Sequence, residues 1–224
     1  VPTPTTKDGF DNSIIKDVIK LVGKGKTAII KSTIIPGTTN AIQAENPDIF
    51  VLHSPEFLTE ASALHDASHP TRNIIGIPID THEFREKAEA LLSVLPKAHY
   101  DIICSAREAE LIKYARNCMG YMRVIFYNLL YDAAQNENAN WEKIQEAISA
   151  DPDNGPIYTF PLHKNGRGAA GHCFVKDFAA FANYYEEKVK DTLGSEILRD
   201  FEKKNIQLLT ESKKDLDMLK GVYG

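Results

Sequence analysis

A cysteine follows a glycine-rich run in NGRGAAGHCFVKDFAAF, residues 165–181. Gly166, Gly168 and Gly171 permit positive φ and close backbone approach to a ligand, while exposed N–H groups and Arg167 suit phosphate oxygens. If a helix begins near Cys173, its positive dipole end and the nearby Lys176 favour the thiolate, the form that attacks carbonyl carbon. Taken alone, a flexible loop followed by a buried cysteine is the commoner outcome. A cysteine hydrolase ranks last, because His172 adjoins the cysteine rather than approaching it across a cleft.

Three other segments carry candidate chemistry. IIKSTIIPGTT (29–39) ends a strand with Ser32 and Thr33 at its carboxyl edge, where ligands sit in open parallel sheets. HSPEFLTEASALHD (53–66) follows another strand and holds Glu56 and Glu60; if the segment is helical, both lie on one face and could bind water. ELIKYARN places Lys113 and Asn117 on one helix face, where a cation and an amide can hold a sugar hydroxyl or an oxyanion. Each has an ordinary alternative: a turn or cap for the threonine, a solvated face for the glutamates, a surface lysine.

The elements that must position these residues read as an α/β protein. A helix is expected over 13–23, strands over 27–33, 49–54 and 73–78, and a helical stretch over 82–95, which together indicate a largely parallel, Rossmann-like sheet. Residues 107–136 hold apolar residues at helical spacing for about eight turns without proline, and predict one long helix. A helix over 141–150, a Pro/Gly-rich loop over 151–172 and helices over 174–190 and 195–219 follow. The division expected is 1–106, the C-terminal part of a Rossmann-like domain, and 107–224, the long helix and an all-α dimerisation domain bearing Cys173. The long helix predicts a homodimer, since Met119, Met122, Phe126 and Leu129 exceed what a small module covers.

Composition excludes several classes. Net charge −5 offers no broad attraction for nucleic acid or an anionic membrane, and no run of about 18 apolar residues is present. Cys104, Cys118 and Cys173 lack CxxC spacing, so reduced thiols in the cytoplasm, rather than disulfides or a cysteine-based metal site, are expected.

Read in order from Val1 to about Asp177, VPTP, KSTIIPGTT, SPEFLTEASALHD, HPTRNIIG, AELIKYARN and GRGAAGHCFVKD resemble the successive signatures of the UDP-glucose/GDP-mannose dehydrogenase family. The resemblance implies NAD-dependent oxidation of a nucleotide-sugar primary alcohol, such as that of a UDP-hexose, to the uronic acid. An aldehyde is captured by Cys173 as a thiohemiacetal, oxidised to a thioester and hydrolysed. It implies that Lys113 and Asn117 stabilise the oxyanion, that Asp177 helps activate the hydrolytic water, and that Thr33 and Glu56 share the cluster. Thr3, Thr33 and Glu60 would lie toward the NAD cofactor; Phe57, Leu58, Lys113, Asn117, Arg167, Gly168 and Gly171 would hold the sugar nucleotide. The GxGxxG fingerprint would precede Val1 and the UDP-binding domain would follow Gly224, so the 224 residues are expected to be inactive alone. Val175 stands where the family usually has proline, and Ala169–Ala170 where glycine is common, which bears on sugar specificity. A second reading is a non-catalytic nucleotide-sugar-binding or dimerisation module of the same fold.

Overall fold

Alternating apolar runs and amphipathic stretches fold as expected into a sheet with flanking helices, followed by helices alone. The computed structural model describes residues 1–6, 9–164 and 166–224, with the side chains of Glu60 and His172 outside that description. After two short strands, β1 (Thr5–Thr6) and β2 (Gly9–Phe10), the order is α1 (Ser13–Ile19), β3 (Thr27–Ile30), α2 (Thr38–Glu45), β4 (Phe50–His53), a 3₁₀ turn (Glu60–Ser62), α3 (Ala63–Ser68), β5 (Arg72–Ile77), α4 (His82–Val94) and β6 (Tyr100–Ser105). Then come α5 (Ala106–Asn136), α6 (Trp141–Ala150), α7 (His172–Tyr184), a π-helical turn (Tyr185–Val189), α8 (Thr192–Glu211) and α9 (Leu216–Tyr223). Two compact units result: residues 1–4 with 10–115, and residues 5–9 with 116–224.

In the first unit the strands run β3-β4-β5-β6, with β3–β4 and β5–β6 parallel. The sheet is mixed, because β4 meets β5 antiparallel at His53↔Gly76. Strand alternation divides the core: Ala28, Ile30 and Val51 pack with Ile15 and Ile19 of α1 and Ile42 of α2, while Leu52, Ile75 and Ile77 pack with Phe84, Ala88 and Leu91 of α4. Gly76 lets α5 start close to the sheet; a Cβ there would lie 2.8 Å from the Ala106 Cα. Glu110 of α5, fully buried, accepts from the backbone N–H groups of Gly37 (2.5 Å) and Thr39 (2.9 Å) and the Thr39 hydroxyl (2.7 Å). It thereby caps α2, whose own N-cap is Gly37, and ties the start of α5 to the Thr33–Gly37 turn.

The second unit packs α7 on α8 and α9 around Val175, Ala179, Leu209, Leu219 and Val222. Tyr121 of α5 stacks on Phe178 of α7 with ring centroids 4.0 Å apart.

Some boundaries differ from expectation. The first helix stops at Ile19, before the glycines. The helix expected over 174–190 begins at His172 and ends at Tyr184, where the π-helical turn takes over. The helix expected over 195–219 is two helices, broken at Lys213 (φ 53°) and Asp215 (φ 50°), both left-handed. Glu56 lies in an irregular segment before the 3₁₀ turn, so the pairing of Glu56 and Glu60 on one α-helical face is not formed.

Candidate active site

The first unit pairs Thr3 with Thr33 and, separately, brings Lys113 to Glu56 and Phe57. The chain leaving β3 is held by two hydroxyls: Thr3 Oγ1 donates to the Thr33 carbonyl (2.8 Å) and Ser32 Oγ to the Val1 carbonyl (2.6 Å). Beyond β4, the buried Lys113 Nζ donates to the Glu56 carbonyl (2.6 Å) and lies 5.5 Å from the Phe57 ring centroid. Lys31 pairs with the Glu56 carboxylate at 3.1 Å, and the Arg72 guanidinium sits 4.0 Å from the Phe57 centroid. Glu56 is thus gripped through both its backbone and its side chain, and Phe57 meets two cations. Leu58 beside them is exposed, and the Glu60 side chain lies outside the described residues.

His53 ends β4 fully buried; among the described residues neither ring nitrogen has a well-formed hydrogen bond, and the Ile30 carbonyl is the polar group nearest to providing one. Burial lowers its pKa to about 4, opposed by the Ile30 carbonyl and aided by the charges of Lys31 and Lys113. The folded protein therefore holds it neutral, whereas the unfolded chain takes up a proton below its ordinary pKa of 6.5. Its contribution, on the order of 3 kcal/mol, is complete above the unfolded pKa and is lost as pH falls through the folded one. Urea unfolding at pH 7 and pH 4.5 is expected to show a smaller loss of stability in His53→Leu than in the parent protein.

The second unit gathers Cys173, Asn117 and Asp177. Gly171, with φ 88°, is the N-cap of α7, which places Cys173 in the first helical turn with its side chain exposed. Cys104 is half-buried with its pKa pushed up to about 11, and burial also raises that of Cys118. Asp177, one turn beyond Cys173, is 1% exposed. It accepts from Asn117 Nδ2 at 2.5 Å and Lys176 Nζ at 2.6 Å. The Lys176 charge is directed to Asp177, not held in reserve for the thiol.

The glycine loop differs from a bare phosphate cradle. The N–H groups of Arg167, Ala169 and Gly171 are given to Ser212 Oγ (2.9 Å), Asn205 Oδ1 (2.7 Å) and Asp215 Oδ2 (2.9 Å). Arg167 binds Asn128 through its side-chain oxygen (2.8 Å) and carbonyl (3.0 Å), and pairs with Asp132 (2.6 Å). Gly168 is buried against Asn205 and Leu209. Asn165 lies outside the described residues. A charged groove of about 850 Å³ along α8, lined by Glu186, Asp191, Arg199 and Lys203 among others, contains none of the residues singled out from the sequence. No helix of the described residues is long and apolar enough to cross a membrane, and none of their His, Cys, Asp or Glu side chains group into a metal site.

Sequence reasoning did not single out Lys31, His53, Glu110, Asn205 or Lys214. The polar end of the apolar run FVLH was the one local signal for His53.

Residues 1–94 match the NAD binding domain of the UDP-glucose/GDP-mannose dehydrogenase family, and residues 107–206 match its central domain. The chain belongs to that family. NAD is accordingly the cofactor indicated by its first domain. A UDP-glucose 6-dehydrogenase of Campylobacter jejuni is 33% identical over 229 aligned residues, covering 96% of this chain and 56% of that protein. The putative UDP-glucose 6-dehydrogenase YtcA of Bacillus subtilis is 31% identical, covering 86% and 46% respectively. Among solved structures, a UDP-glucose dehydrogenase from Pyrobaculum islandicum superposes with a TM-score of 0.74 at 27% identity, covering 93% of this chain and 51% of that one. The chain thus spans about half the length of the relatives it matches.

Proposed function

We propose that this chain carries the cysteine-bearing part of an NAD-dependent nucleotide-sugar 6-dehydrogenase that converts a UDP-hexose primary alcohol to the uronic acid. The observation that carries the reading is the exposed thiol of Cys173 in the first turn of α7, with the buried Asp177–Asn117 pair one turn away, while Cys104 and Cys118 are shielded. Bound NAD supplies the hydride acceptor for both oxidations.

The chain's own residues account for the rest. The Cys173 thiolate forms a C–S bond with the aldehyde carbon, and the resulting alkoxide takes up a proton; Lys113 and Asn117 stabilise negative charge on that oxygen. Once the adduct is oxidised to the thioester, water held by Asp177 adds to the carbonyl. The C–S bond then breaks, and the acid leaves with the thiolate restored. Thr3 supports the nicotinamide end: with its proton on the Thr33 carbonyl, its oxygen keeps lone pairs that can accept from a carboxamide. Thr33 and Glu60 complete that end in this reading. Phe57, Leu58, Arg167 and Gly171 serve the sugar nucleotide in this reading, Arg167 by exchanging its Asn128 and Asp132 bonds for phosphate oxygens, while Gly168, buried against Asn205 and Leu209, serves it by shaping the loop. Reduced thiols accord with a cytoplasmic protein. The full-length enzyme with UDP-glucose and related sugar nucleotides is expected to form two NADH for each sugar nucleotide consumed, with acid as the product; one NADH for each sugar nucleotide consumed, with aldehyde released, would sink the reading.

The same enzyme is proposed to be a homodimer. Met119, Met122, Phe126 and Leu129 follow the three-four-three spacing of a helix-pairing seam on α5, and Met119 and Phe126 are 60% and 57% exposed. Light scattering at micromolar concentration is expected to give a dimer for the parent and a monomer for Phe126→Glu; a parent that is monomeric throughout would contradict the assignment.

A further inference from the structure

We infer that Asn205, Lys214 and Asp215 form a clasp that fixes the Gly166–Gly171 loop, making them positioning residues for Cys173; this rests on the proposed role of that cysteine. A loop this rich in glycine has many accessible backbone states, and its polar groups must be satisfied wherever it is buried. Gly166 exchanges backbone hydrogen bonds with His163, and beyond that pair the loop's partners come from α8 and the link to α9. Asn205 makes a two-way pair with Ala169, accepting from its N–H at 2.7 Å and donating to its carbonyl at 2.9 Å. Lys214 Nζ donates to the Gly166 and Gly168 carbonyls, each at 3.3 Å. Asp215 takes the N–H of Gly171, the cap residue of the helix that bears Cys173.

The shapes interlock as well. A Cβ on Gly166 would come 2.7 Å from Lys214 Cδ, and one on Gly168 would come 2.9 Å from Asn205 Oδ1. Lys214 is 8% exposed, and burial lowers its pKa although Asp215 opposes the shift. No salt bridge of Lys214 is present among the described residues, so its ammonium is buried against carbonyl dipoles. A buried cation with that environment is poor economy for stability alone, since an apolar residue of similar length fills the space without the desolvation cost. The left-handed backbone at Lys213 and Asp215 turns Lys214 and Asp215 toward the loop immediately after α8 ends. The first turn of α7, whose N–H groups stabilise negative charge at the sulfur, is thereby held in register with its cap.

Asp215→Gly and Asp215→Asn separate the side chain from the backbone, because both residues tolerate the positive φ at this position. Only asparagine keeps an oxygen for the Gly171 N–H. In Asp215→Gly, amide exchange at Gly171 is expected to quicken about tenfold, and iodoacetamide alkylation of Cys173 to slow by roughly threefold, without a change in the global unfolding midpoint. Asp215→Asn is expected to restore both, and Lys214→Met to loosen the loop as Asp215→Gly does. In the full-length enzyme the same loosening is expected to lower kcat about tenfold with KM unchanged. Exchange and alkylation at parent rates in both Asp215→Gly and Lys214→Met would overturn the clasp. These two readouts need neither sugar nor cofactor, so the clasp can stand if the dehydrogenase reading fails, and fall if it holds.

Discussion

Replacing Cys173 by serine is expected to lower acid formation by the full-length enzyme roughly a thousandfold or more. A serine hydroxyl is a poorer source of nucleophile near neutral pH, and its ester yields to water less readily than a thioester. The first oxidation does not need the thiol, so a first equivalent of NADH is expected to persist while the second fails. The reaction then stops at an aldehyde-level adduct; if some of that adduct is oxidised, it stops at an ester that releases no acid. Rapid-quench measurement of NADH against acid distinguishes this from a folding defect, which lowers both together. The exposed position of Cys173 makes such a defect unexpected, because no buried packing is lost.

The second large effect belongs to Lys113. Lys113→Ala is expected to slow turnover by about 3 kcal/mol, roughly a hundred- to two-hundredfold, with substrate affinity changed much less. In the proposed mechanism the fixed ammonium acts on charge that develops in the tetrahedral species, which is a transition-state rather than a ground-state interaction. It also holds the Glu56 carbonyl at 2.6 Å, so the variant removes an anchor of the Glu56–Phe57 segment. Lys113→Gln tests which role dominates, since it retains a donor for that carbonyl without the charge. If the charge is what matters, kcat stays low in Lys113→Gln while the KM for the sugar nucleotide returns to the parent value; recovery of kcat would show that Lys113 only positions the loop.

Periodicity carried the long elements. An uninterrupted apolar repeat without proline marked α5 within one residue of its observed start, and α6 was legible at both ends because Asn140 caps it through the Lys143 N–H. The break between α8 and α9 was not legible, because left-handed Lys213 and Asp215 do the work that glycine or proline would have announced. β6 was missed for a related reason: YDIICS opens on polar residues and gains its place from pairing with β5.

The candidate site shows the same division between local and distant information. Glycines in sequence around Cys173 signalled a special turn before a helix, and that turn is present at Gly171. The commitments of the loop's N–H groups and of Arg167 were invisible, because their partners lie 35 to 45 positions away. Glu110 was hidden for the reverse reason: a glutamate three residues before Lys113 on a helix reads as solvated until its carboxylate is seen capping α2.

The most direct test of the central claim is to mix the full-length enzyme with NAD and its sugar nucleotide under single-turnover conditions, quench in acid and determine the protein's mass and the modified peptide. The account predicts a transient adduct of the sugar nucleotide on the peptide containing Cys173, rising with the first NADH and decaying as acid appears, and missing in Cys173→Ser as a thioester. Full acid production with no adduct on Cys173 at any time, or undiminished acid production by Cys173→Ser, would contradict it.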